Sequence, residues 1–586
     1  MSPNRDLVSR RRTFLGGMAG FLGAGMLSGT GLSTSTLAAE KKPKAKSSNP
    51  FGPFTNRRAP VYGRNGMACS STPLAAGIGR DILKAGGNAA DAALAMAAAV
   101  NVMEPMMSGL GGDMFAMVWR DGKVHGLNGS GRSGSLMSLD RVREKHGDTM
   151  PHAGAATVNV PGALDGYLAM HKKFGTMELA DIFEPAAALV EGGFPVGQKI
   201  AHVWEVGAGL LRKFSPGSKD YLPGGKAPAP GMLFRQPELA RLWRRIGREG
   251  RSAFYAGEVR DRIVETVSKQ GGYLQRDDFA VDQAEWVEPI RGGYRGHTIL
   301  EMPPNGQGIV ALEALAILEG YDMAAIFAAD EVQACHLILE AIKFAYADAA
   351  ATVADARFLK APIENLLKPD FIASRRANID RDHASVNPPA GRIFGDTTYL
   401  TVVDRNRMAV SLITSISGVF GSGLVVPGTG VILNNRLSDF VLTPGHPNAA
   451  GPGKRVRHTI LPAMMLGPDG QLKMSFGCMG GNMQPQGQVQ ILLNLIDRGM
   501  NLQQALDAPR VRVLDGRRVS IEPHPMPDLG KRLASMGHVV VWDGSTPASS
   551  GDVGESFEGS AQAIMLEPES LCGASDPRLD GIACPL

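Results

Sequence analysis

Apolar residues along this chain follow two periodicities, and the balance between them changes about two-thirds of the way along. From residue 75 to 103 an alanine-rich run has helical spacing, and Gly86-Gly87-Asn88 splits it into two helices. The second, Ala89 to Met103, is apolar almost all round, which predicts burial on every side. Residues 114–119 read as a strand, and Asp121-Gly122 is a hairpin turn signal. Helical spacing returns at 163–173, 178–191 and 236–248, at an amphipathic 254–269, and at 331–350. After residue 397 strand-like runs dominate: 398–404, 408–415, 463–467 and 472–476. A helix at 486–498 and strands near 519–522 and 538–542 follow, with no internal repeat of fixed period. Helices placed before and after a block of mostly antiparallel strands predict two packed sheets flanked by helices, an α+β class.

Composition narrows the function. At 586 residues the chain can bury a large core, and 44% hydrophobic with 20% charged residues is ordinary for a soluble globular protein. The net charge is only +4, and part of it lies in Arg10-Arg11-Arg12 and Lys41 to Lys46. No basic face with aromatic partners points to nucleic acid. Ser9-Arg10-Arg11-Arg12-Thr13-Phe14-Leu15 looks like a twin-arginine export signal, followed by an apolar stretch to Leu32 and small residues at Ala38-Ala39. The rival is a membrane-spanning helix, but seven glycines between Phe14 and Leu32 weaken it, and no second apolar span follows. Residues 1–39 are therefore expected to be a removed signal and 40–56 a mobile leader, giving a periplasmic or secreted protein without a stable membrane span. The five cysteines have no zinc-like spacing, and no HExxH or nucleotide-binding glycine pattern implies a metal or an organic cofactor. Cys572 and Cys584 lie close enough in sequence to pair in an oxidising compartment.

Thr397 and Thr398 open the buried strand 399–403, and alone they would read only as its first residues. Other blocks change that reading. They are Gly86-Gly87-Asn88-Ala89-Ala90-Asp91, Gly109-Leu110-Gly111-Gly112-Asp113-Met114-Phe115, Met302-Pro303-Pro304-Asn305-Gly306-Gln307-Gly308, Tyr346-Ala347-Asp348, Leu433-Asn434-Asn435-Arg436-Leu437-Ser438-Asp439-Phe440 and Gly480-Gly481. In this order, from about residue 60 to the C-terminus, the chain resembles the γ-glutamyltranspeptidase family of N-terminal-nucleophile hydrolases. The resemblance implies a four-layer αββα sandwich. It also implies self-cleavage between Asp396 and Thr397 into residues 57–396 and 397–586, which stay together as a heterodimer.

The implied chemistry has a physical reason. A threonine hydroxyl needs a base, and a new N-terminal α-amine, with a pKa of about 7.7–8.0, is one at neutral pH, whereas an amide nitrogen is not. Thr397 would attack first the Asp396 carbonyl and then a substrate amide, passing the acyl group to water or an amine acceptor. Gly480 and Gly481 match the family's oxyanion loop, and Ser415 its hydroxyl beside the new N-terminus. Asp439 matches the acid that pairs with a substrate α-ammonium, and Arg132 is the candidate for the α-carboxylate clamp.

Four positions depart from the family pattern. Ser417 stands in place of Asn, Arg436 in place of Gln or Glu, and His458-Thr459 in place of paired serines. The 440–454 segment is also too short for the usual lid. Arg436 and Arg457 suit an acidic substrate, and His458 reads as a polar wall residue rather than a base. The first functional reading is hydrolysis or transfer of γ-glutamyl amides such as glutathione. The alternatives are a cephalosporin acylase taking a glutaryl-type side chain and an uncleaved binding protein.

Overall fold

A computed structural model describes residues 58–215, 219–386, 396–542 and 559–586. The expected signal and leader lie outside these residues. Fourteen strands form two seven-stranded sheets. In chain order they are β1 (Val61–Gly63), β2 (Gly66–Ser70), β3 (Asp113–Arg120), β4 (Lys123–Gly129), β5 (Glu285–Val287), β6 (Ile290–Tyr294) and β7 (His297–Glu301). After them come β8 (Asp396–Asp404), β9 (Ala409–Ser417), β10 (Pro462–Leu466), β11 (Leu472–Met479), β12 (Ser560–Leu566), β13 (Leu571–Ser575) and β14 (Ile582–Pro585). The first sheet runs β1-β13-β12-β11-β10-β7-β6 and the second β14-β2-β8-β9-β3-β4-β5, all neighbours antiparallel.

The sheets face one another through β8, β9, β11 and β12. Tyr399 and Thr401 of β8 point into that interface, where they hydrogen-bond Ser411 and Ser475 at 2.7 Å each. Gly477 of β11 makes room for the Tyr399 ring, which a Cβ at that position would meet at 2.3 Å. Helices cover both outer faces. Over the second sheet lie α1 (Pro73–Lys84), α2 (Ala89–Met103), α3 (Ala163–Phe174), α4 (Leu179–Gly192), α5 (Gln198–Phe214), α6 (Pro237–Glu249) and α7 (Gly257–Lys269), in one shared hydrophobic core. Over the first lie α8 (Ile309–Leu318), α9 (Glu331–Thr352) and α10 (Met483–Ile496), in another. The result is the four-layer αββα sandwich that the resemblance implies, with its strands buried from both sides.

The 254–269 helix is in fact two, Ser252–Tyr255 and α7, because Ala256 between them is extended and Gly257, which opens α7, takes φ +61°. The sequence reading does not anticipate helices α5 and α8 or strands β1, β2, β5 to β7 and β12 to β14. In α5 the stripe Ile200, Ala201, Trp204, Ala208, Leu211 does carry a helical period. In α8 nine of ten residues are buried, so no polar face marks it. All five cysteines are free thiols; Cys572 lies on the first sheet and Cys584 on the second, so the expected pair is not formed.

Candidate active site

Helix α2 holds β8 in place at both ends. At its start the Ala89 N–H donates to the Asp404 carboxylate at 3.0 Å, beside the Asn88 capping box. Just past its end the Glu104 carboxylate accepts from the Thr398 hydroxyl and, at 2.5 Å, from Ser71. These two clamps set the level of Thr397. There the β8–β9 ladder is interrupted between Asp396 and Thr398, which places Thr397 at a bulge.

Thr397 is buried, and two side chains meet its hydroxyl. It donates to Ser415 Oγ at 3.5 Å and accepts from Gln484 Nε2 at 3.2 Å. Ser415 sits on β9 against the Gly109–Gly112 turn, where a Cβ on Gly112 would lie 2.3 Å from the Ser415 carbonyl oxygen. Ser415 Oγ also accepts from the Ser417 N–H at 2.9 Å and from Arg436 Nη2 at 3.2 Å. Ser417 itself holds φ +82°, an uncommon conformation for a residue with a side chain.

Behind Ser415 lies a buried charge cluster. Arg436 Nε donates to Asp113 Oδ2 at 3.3 Å, and its Nη1 donates to Thr459 Oγ1 at 3.1 Å. His458 Nδ1 accepts from the Ile460 N–H, so its Nε2 carries the hydrogen and donates to Asp113 at 3.1 Å. Burial alone would raise the Asp113 carboxyl, but the bonds from His458 and Arg436 outweigh it and hold Asp113 below the usual range. Burial, and then the Arg436 charge, push His458 down to about 4, against a smaller pull from Asp113. Both its ring nitrogens are taken within the protein, and Phe115 covers the ring at 4.8 Å.

A neutral His458 makes the fold acid-sensitive. Unfolded, the imidazole takes its proton near pH 6.5; folded, only near 4. In that window the unfolded state binds more protons, so the stabilisation present above pH 6.5 drains away as pH falls to 4, by about 3 kcal/mol from this group. Urea melts across that range should show the slope, and His458→Gln should reduce it by one proton's worth.

Asp439 closes a short 3-10 turn, Arg436–Asp439. Its carboxylate is half-buried and makes no hydrogen bond or ion pair among the described residues. Gly480 and Gly481 connect β11 to α10 with φ of +112° and +58°, a path natural only to glycine. Gln484, in the first turn of α10, ties that glycine corner to Thr397. The structure thus brings together Thr397, Ser415, Ser417, Arg436, His458 and Thr459 in one hydrogen-bonded group. Arg132 is placed differently: its guanidinium pairs with Asp355 at 3.4 Å and Glu285 at 3.9 Å, and bonds no member of that group. The sequence alone does not single out Asp113 or Gln484. Asp113 stands inside a glycine motif and Gln484 among alternating glutamines, and neither setting signals a site.

His336, Glu340 and His538 form a separate buried group whose ligand atoms lie within 4.8 Å of one another. Lys343 supplies its cation, 2.7 Å from Glu340 and 3.4 Å from His538, and His336 and His538 bond each other at 2.9 Å.

The chain is similar to known proteins over most of its length. A family model described as gamma-glutamyltranspeptidase matches residues 75–586. The glutathione hydrolase-like YwrD proenzyme of Bacillus subtilis is 35% identical, over 89% of this chain and 99% of its own. The acylase ACY 1 proenzyme of a Pseudomonas species is 34% identical, over 90% and 95%. Among solved structures, a cephalosporin acylase from Bacillus halodurans superposes with a TM-score of 0.84 and 37% identity, covering 93% of this chain and 99% of the other.

Proposed function

The chain belongs to the gamma-glutamyltranspeptidase family, and we propose that it is a self-cleaving threonine amidohydrolase acting on γ-glutamyl amides, glutathione among them. Thr397 Oγ1 attacks the Asp396 carbonyl. The peptide bond gives way to an ester, the hydroxyl proton ends on the Thr397 nitrogen, and water then releases residues 57–396 from 397–586. The freed α-amine next serves as base for attack on substrate. The N–H groups of the Gly480-Gly481 corner stabilise the oxyanion, and water or an amine takes the acyl group. With residues 1–39 acting as an export signal, this chemistry takes place outside the cytoplasm. Both relatives described above carry "proenzyme" in their names, in keeping with such processing.

The observation that carries the substrate is Asp439. A half-buried carboxylate that makes no hydrogen bond or close ion pair among the described residues, on the turn that supplies Arg436, is suited to the α-ammonium of a γ-glutamyl group. Arg436 favours a second reading. Its charge interacts with Asp439, which tempers the attraction for an ammonium and suits a glutaryl-type acyl group with no amine.

The p-nitroanilides of γ-glutamate and glutarate differ only in that amine. On the first reading, wild-type kcat/KM is at least tenfold higher for the γ-glutamyl compound. Asp439→Asn then lowers it by roughly 10- to 100-fold, the worth of one charged hydrogen bond, and spares the glutaryl compound. Faster glutaryl hydrolysis, indifferent to Asp439→Asn, would put the acylase reading first. No turnover of either by an uncut chain would leave a binding protein.

A further inference from the structure

We infer that Gln484 is a catalytic residue, a fixed hydrogen-bond donor to the nucleophilic oxygen of Thr397. This rests on the reading of Thr397 as nucleophile. The orientation of its carboxamide is determined, because the Leu461 N–H can only donate and reaches Gln484 Oε1 at 2.8 Å. Nε2 must then face the other way, where it meets Thr397 Oγ1 at 3.2 Å. The side chain is fully buried and rises from the first turn of a helix, so little freedom remains to it.

The neighbouring glutamines of α10 show the contrast. Gln486 and Gln490 spend their amide groups on the backbone of Val513 and Val511, and Gln488 donates to the Leu461 carbonyl. They fasten the helix to adjoining segments. Gln484 directs its N–H to a side-chain hydroxyl instead.

That donor fits the charge changes at one oxygen. In self-cleavage Oγ1 loses its proton as the C–O bond forms, and the proton ends on the departing nitrogen. In hydrolysis of the resulting ester, water adds, the C–O bond breaks, and Oγ1 leaves with the electron pair before regaining a proton. Acylation by substrate and deacylation repeat the two events. Oγ1 gains negative charge in all four, whereas the intervening ester oxygen is a weak acceptor. A donor fixed there favours the transition states over the ester and need not move between steps.

Gln484→Glu keeps the acceptor for Leu461 and removes the donor facing Thr397. In full-length precursor at pH 8, formation of the Thr397–Leu586 fragment should slow by ~10²–10³-fold, the usual cost of one such donor. Lowering the pH through the titration of the new carboxyl should recover part of the rate, because a protonated acid donates again; a purely structural role would not move the pH profile. Gln484→Met, of similar length and without a donor at any pH, should be slow throughout. A folded variant of either kind that cuts within about threefold of wild type overturns the assignment. Failure of both to fold also counts against it, since the side chain would then belong to the core. Wild type run alongside separates the two ideas. If it never cuts, the Thr397 reading falls; if it cuts no faster than the variants, only Gln484 does.

Discussion

Thr397→Ala is expected to leave the precursor in one piece, with no fragment beginning at residue 397 by intact mass. Amide hydrolysis should fall by ~10⁶-fold, because loss of the proposed nucleophile would remove the covalent route and not merely one contact. The fold should survive. Alanine leaves Gln484 Nε2 without its acceptor, a cost of about 1–3 kcal/mol, which a domain of this size can absorb. Thr397→Ser retains the oxygen and should still cut, more slowly. A Thr397→Ala chain that yields the same fragment would move the nucleophile elsewhere and leave the Ser415 and Gln484 contacts without a catalytic meaning.

Arg436→Met should bring the largest loss of stability at this site. Asp113, Arg436 and His458 are all buried, and removing the guanidinium leaves the Asp113 carboxylate without its cation, held only by the Gly131 N–H, Asn159 and a neutral His458. Breaking a buried pair in this way costs about 3–5 kcal/mol, against roughly 1 kcal/mol or less for an exposed one. His458 offers partial relief. With the Arg436 charge gone, the imidazole rises from about 4 towards its ordinary value, and an imidazolium can then face Asp113. The deficit relative to wild type should therefore be greatest at neutral pH and shrink under mild acid. Adding Asp113→Asn should recover much of it, since both charges are then absent. Urea melts of the single and double variants at two pH values would check both points; a deficit below about 1 kcal/mol at pH 7 would contradict the buried pair.

Parts of this architecture are legible in the chain because the signal is local. Gly86-Gly87-Asn88 separates α1 from α2 since Asn88 caps the second helix with its own side chain, and Asp121-Gly122 turns β3 into β4. The Thr397 strand is apolar and β-branched, as its burial from two sides requires. Other parts are set by distant partners. Strands β12 to β14 complete sheets whose remaining strands come from other parts of the chain, and α8 has no face because it is covered all round. At the site, Thr397, Ser415, Arg436 and Asp439 are legible only through the family resemblance that the motifs carry. Asp113 lies 323 residues from its partner Arg436, and Gln484 lies 87 from Thr397. Neither pairing leaves a periodic trace, and only the folded chain brings them together.

A cut before Thr397 would pass through both sheets without separating them. In one, β2 from the first piece lies between β14 and β8 of the second; in the other, β1 and β7 flank the run β13 to β10. The precursor finds these pairings as a single tethered chain. Two pieces must first meet, so recovery from denaturation would become a second-order process that dilution slows, and the apparent melting temperature would come to depend on protein concentration. Cleavage of this fold would thus leave the native contacts in place while removing the tether under which they formed.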